Sequence, residues 1–195
     1  MNRFSTLVFG LALATVAEGQ PGADAQPDSV APAASNAAST LSPVDYNFVA
    51  QANLGAPFQI DSGRIAEEKA TSANIRDYAH LMVVSHIPVV DGLNSILQRK
   101  QITAPPETLL QGAYDAMLAS LKTDTGIASD RDYVEGQVRY QKGNAALFQY
   151  EIQNGADPDL KAFARHTLPK IEDHLQRALR LAEGNAVSEL PGSSP

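Results

Sequence analysis

The chain contains no cysteine and no tryptophan among its 195 residues. Without thiols there can be no disulfide, no thiolate metal site, no thiol nucleophile and no lipid-modified cysteine. Aromatic residues make up only 6%, too few for the stacking platforms that hold bases or sugars. Positive charge is also scarce. Fifteen Lys and Arg against 22 Asp and Glu leave a formal charge of -7, which excludes the basic footprint of a nucleic-acid binder. Beyond the first twenty residues no stretch approaches eighteen consecutive apolar residues, so no transmembrane span is expected. A Gly-rich phosphate loop, a Ser, His and Asp order and a paired-carboxylate signature are all missing, and no catalytic residue is assigned.

What is present is an ordinary hydrophobic content of 44%, enough for one globular core. Met1-Asn2-Arg3 followed by the apolar run LVFGLALATVA at 7–17 reads as a signal peptide, with cleavage after Ala17 or Gly19. The mature protein is therefore expected in the periplasm or outside the cell, with outer-membrane association left open. Residues 20–42 are rich in Ala, Pro and Ser and carry no aromatic or basic side chain. Such a segment buries too little to offset its ordering entropy and is read as a disordered linker. The tail at 185–195 reads the same way, which leaves 43–184 as the folded domain.

Within that domain the apolar period is helical throughout, and the fold class read from it is all-α. Ser42-Pro43-Val44-Asp45 opens the first helix with a hydroxyl cap and a proline behind it. Asn53 to Pro57 is expected to interrupt that helix, which resumes to about Thr71. Ser72 is expected to cap a second helix to about Gln101, with its seam at Ile75, Ala79, Met82, His86, Val89, Leu93 and Ile96. A shorter helix follows from Glu107 to about Lys122, and 123–129 reads as a turn. Long helices from about Asp130 to Gln153 and from Asp157 to Glu183 complete the set, with seams through Val134, Gln141 and Phe148 and through Leu160, Ala164, Ile171, His174 and Ala178. Seams advancing by alternate steps of four and three belong to near-parallel bundles. A short helix in the long connection suits a ferritin-like four-helix bundle with a crossover.

The runs at 48–97 and 132–182, including Ala79 to His86 and Leu168-Pro169 followed by His174-Leu175, resemble domain-of-unknown-function family 4142. That family comprises exported bacterial ferritin-like proteins often labelled putative outer membrane proteins. The resemblance implies fold and export, and it implies no activity. It also implies an acid where Gln59 stands and a histidine where Gln141 stands, so two strong ligands have been replaced by amides.

The only constellation able to carry chemistry lies in the seams. His86 and His174 occupy positions where the period demands core residues, Gln141 does so on the helix between them, and Gln59 falls on a stripe of small residues. Four polar side chains sharing one layer permit two readings. The histidines and glutamines satisfy one another by hydrogen bonding, or His86 and His174 bind a divalent transition metal, with Gln59 and Gln141 as neighbours. A site made of unperturbed imidazoles would release its ion near pH 6. A di-iron centre is excluded, because the residues three before each histidine are Val83 and Ile171 rather than glutamates. Three functions follow: a binding or envelope-associated protein, a metal-dependent enzyme acting on peroxide or superoxide, or a scaffold for an envelope protein partner.

Overall fold

The computed structural model describes residues 41–105 and 110–188; the expected signal peptide and nearly all of the linker lie outside them. Among the described residues there are five helices and no strand: α1 (Pro43–Lys69), α2 (Ala73–Lys100), α3 (Leu110–Thr123), α4 (Gly126–Asn154) and α5 (Pro158–Ser188). Short connections pair α1 with α2 and α4 with α5. The two hairpins pack with α2 beside α5 and α1 beside α4, while α3, in the crossover, lies against α1. This is the all-α, ferritin-like bundle with an extra helix that the seams predict.

Local signals set the helix ends. The Ser42 hydroxyl accepts from the Asp45 amide at 3.2 Å, and the Asp157 carboxylate accepts from the amides of Asp159 and Leu160 at 2.9 and 3.1 Å, each satisfying donors left over at a helix start. Four expectations are corrected. First, α1 is unbroken through Pro57. That proline faces solvent, while Phe48, Val49 and Ala52 before it and Phe58 behind it are all buried, so core packing holds the helix on both sides of the missing N-H. Second, the Ser72 side chain does not cap α2. The carboxylate of Asp130 reaches across from α4 instead, accepting from the amides of Thr71 and Ser72 and from the Thr71 hydroxyl. Third, α4 starts at Gly126, four residues earlier than predicted, with its first residue at φ +79°, a conformation open to glycine. Fourth, α5 continues to Ser188, so the first residues of the expected tail are helical.

One described helix, α2, is long and apolar enough to cross a membrane, with an eighteen-residue window of mean hydropathy 1.2 although its apolar residues are not consecutive. Here it packs against α1 and α5. All seven of its predicted seam residues are buried.

The apolar core comes in two parts. One gathers Phe48, Val49, Leu93, Ile96, Phe148, Leu160 and Ile171; the other gathers Ala66, Ile75, Tyr78, Met82, Tyr133, Val134 and Ala178. The rings of Phe48 and Phe148 meet edge to face at 4.9 Å, an arrangement favoured by the ring quadrupoles. Replacing Phe148 by Ala is expected to cost roughly 3 to 5 kcal/mol in a urea melt, the usual range for emptying an aromatic core site. A neutral substitution would contradict this assignment of the core.

Below the first cluster, two buried carboxyls lock the turn between α4 and α5. Asp45 accepts from the amides of Ala156 and Asp157 at 3.0 and 3.1 Å and from the Ser42 hydroxyl at 2.6 Å. Burial alone would raise its pKa, but these hydrogen bonds hold it below the usual carboxylate range. Glu151, fully buried, is pushed up to about 7 by burial and by the neighbouring Asp45. As a carboxylate neither of its oxygens has a donor, whereas with a proton it donates to Asp45. Gly155 is required here because a Cβ would collide with the Glu151 carboxyl.

A glutamate raised from 4.5 to about 7 binds its proton more tightly in the folded state. Its stabilisation is complete below pH 4.5 and fades as the pH climbs to 7. Glu151→Gln keeps a donor and removes the titration, so the stability of wild type relative to this variant should fall between pH 5 and pH 7.5. Parallel urea midpoints at both pH values would show that Glu151 does not titrate there.

Candidate functional site

Each long helix carries polar residues in the gap between the two apolar clusters. Gln59 and Ser62 occupy it on α1, His86 on α2, Gln137 and Gln141 on α4, and His174 on α5; all are buried, with Gln59, Ser62, Gln137 and Gln141 completely so. Every residue singled out from the sequence therefore falls in one polar layer of the core. Gln137 was missed, although it lies four residues before Gln141 on the same face of α4.

Within this layer the two imidazoles come together. Their ring centroids lie 5.3 Å apart with planes tilted by 39°. His86 Nδ1 is 2.9 Å from the carbonyl oxygen of Met82, one turn earlier on α2. A carbonyl only accepts, so Nδ1 carries the hydrogen and Nε2 keeps its lone pair. His174 Nδ1 has no hydrogen-bond partner although the residue is 1% exposed. Its helix is anchored by the Tyr78 hydroxyl, which donates to the His174 carbonyl at 3.3 Å.

The amides do not complete the layer. Both side-chain polar atoms of Gln59 and of Gln137 lack partners, as does Gln141 Oε1; Gln141 Nε2 donates to the Met82 thioether at 3.4 Å. The self-satisfied arrangement of histidines and glutamines is thus not what forms. None of these three glutamines lines the cavity beside the rings, which is bounded by His86, His174, Thr167, Lys170, Tyr140 and Asn144 among others. That cavity measures about 10 Å³, room for one water molecule or one ion. Tyr140 and Asn144 also line an open cleft of about 510 Å³ under α3. Gly143 borders the cleft, with open space where a Cβ would stand.

Electrostatics keep both rings neutral. Burial, opposed only by the bond to Met82, brings His86 down to about 4; burial, with His86 beside it, brings His174 down to about 3. Proton competition at these nitrogens consequently lies well below the pH 6 expected of free imidazoles. His80 is exposed and sits 2.9 Å from Glu67, and His166 is exposed, so neither belongs to the layer. Among the described residues no three His, Cys, Asp or Glu side chains gather as a metal cluster.

A histidine whose folded pKa lies below its unfolded value of 6.5 contributes full stability above pH 6.5 and loses it as the pH falls toward the folded value. Each such histidine adds up to about 1.4 kcal/mol per pH unit to the slope of stability below pH 6.5. His174→Gln should remove one such contribution between pH 6.5 and 4.5, measured as urea midpoints. An unchanged slope would show that His174 is not held neutral by the fold.

The family model described as "Domain of unknown function (DUF4142)" matches residues 30–181. No curated protein matches the chain. Among solved structures it is similar to the crystal structure of a DUF305 fragment from Deinococcus radiodurans, at 15% identity and a TM-score of 0.66, over 75% of this chain and 99% of that one. At that identity the likeness concerns the fold.

Proposed function

The chain belongs to the DUF4142 family, and from that premise we propose that it is an exported binding protein whose facing histidines, His86 and His174, take up a single transition-metal ion. The observation that carries this reading is the pair itself: two buried neutral imidazoles from different helices, 5.3 Å apart, beside a cavity the size of one ion. Neutral imidazole is a good ligand for Zn, Cu, Ni and Fe. The Met82 carbonyl fixes the His86 tautomer, as outer partners do for metal-bound histidines. Binding rather than catalysis fits the space, since about 10 Å³ admits an ion and excludes an organic substrate. Export rests on the apolar run at 7–17, and the linker at 20–42 would let the bundle stand off an envelope surface.

The test is metal analysis of protein taken from its native compartment, followed by thermal melts with added ions at pH 7.5. An ion bound only by the folded state adds about 2.7 kcal/mol at a hundredfold excess over Kd. Stabilisation of wild type that disappears in both His86→Gln and His174→Gln is expected. Equal stabilisation of all three proteins, or of none, would refute the site.

A further inference from the structure

The crossover helix does not close onto the bundle along its whole length. It is tied to α1, where Tyr114 stacks on Phe58 at 4.2 Å with the ring planes 14° apart and the Lys69 ammonium donates to the carbonyls of Leu121 and Lys122. Against α4, Met117 presses so closely on Gly136 that a Cβ there would collide with the thioether methyl. Two turns further along the same face of α4, at Gly143, nothing lies within 4 Å of where a Cβ would stand. Along this stretch the cleft of about 510 Å³ opens between α3 and α4.

The wall of the cleft has the make-up of a small-molecule site, and its volume falls in the range of ligand pockets, about 300 to 1,000 Å³. Apolar surface comes from Met117, Leu147 and the rings of Tyr114 and Tyr140, whose centroids are 6.1 Å apart with planes tilted by 56°. Burial raises the pKa of both phenols, so neither supplies negative charge. Among the described residues the wall contains no carboxylate, and its one charged side chain is the Arg139 guanidinium. Arg139 faces Glu135 at 3.6 Å in a solvent-exposed pair. Such pairs contribute little, and the guanidinium fork can exchange that carboxylate for another acid group. Gly143 points the same way. A glycine weakens its helix relative to alanine, and no contact requires one at 143, whereas a molecule lying flat along α4 would need the space a side chain takes.

We propose that the cleft under α3 is a binding site for a planar aromatic molecule carrying one acidic group, with its rings packed among Tyr114, Tyr140, Met117 and Leu147 and its acid paired with Arg139. Tilted tyrosine rings take a flat aromatic partner by offset or edge contact, a gain beyond buried area that an acyl chain does not offer. The site is independent of the reading of His86 and His174 as metal ligands.

The experiment uses the full-length protein at pH 7.5 and two fluorescent probes with the same rings, anionic 1-anilinonaphthalene-8-sulfonate and neutral N-phenyl-1-naphthylamine. One equivalent of the sulfonate should bind, at least tenfold more tightly than the amine. Arg139→Gln should weaken the sulfonate at least tenfold and leave the amine unchanged. Gly143→Leu, at an exposed helical position where leucine is the better helix former, should abolish binding of both probes while the thermal melt stays at or above that of wild type. Sulfonate bound by both variants as tightly as by wild type would place it elsewhere and overturn the site. Equal affinity for the two probes would overturn the acidic group. Displacement of the sulfonate by decanoate more readily than by 2-naphthoate would overturn the planar class. Failure of either probe to bind would overturn the inference as a whole and leave the histidine site standing.

Discussion

A layer of amides and imidazoles cuts the core of this bundle in two, and the rest of the structure is arranged around the cost of keeping it there. An unpartnered buried polar group costs about 1 to 3 kcal/mol, and the layer holds several, on Gln59, Gln137, Gln141 and His174. Two apolar clusters, one on either side, supply the burial that offsets this. The ends of the bundle are then fixed by carboxylates that reach between helices: Asp130 onto the start of α2 and Asp45 onto the turn before α5. With both ends held and both clusters packed, the helices have little freedom to slide, and the polar positions stay between the two clusters.

That arrangement links fold to chemistry. A layer that were merely structural would be expected to close on itself, with amides bonded to rings. Here the rings face each other and a small cavity, while the amides lie outside its wall. Burial holds both rings uncharged near neutral pH, so their lone pairs remain available.

Much of this was legible in the amino-acid sequence because it is periodic. Seams with steps of three and four on α2 and α5 located His86 and His174 as core residues, and the structure buries both. What escaped was chemistry that acts between distant segments. Asp45 read as an ordinary first-turn acid, and nothing in the periodicity singles out Glu151; only their meeting across α1 and α4, beside Gly155, makes them a buried pair. Asp130 likewise gave no local sign that it caps another helix. Pro57 misled for the converse reason, since a strong local breaker was overruled by packing on both sides of it. Facing geometry is also not periodic: a seam shows that two rings lie inward, and the distance between them comes from how the helices dock.

The central claim is that His86 and His174 offer free lone pairs to one shared ion. Nitrogen-15 NMR of the imidazole side chains, recorded at neutral pH before and after one equivalent of Ag(I), tests it most directly. The account predicts His86 as the Nδ1-H tautomer held by Met82, with its Nε2 signal and one nitrogen of His174 moving together when the ion is added, while His80 and His166 stay in place. A His86 protonated at Nε2, or an ion that shifts the exposed histidines and leaves the buried pair unmoved, would contradict it.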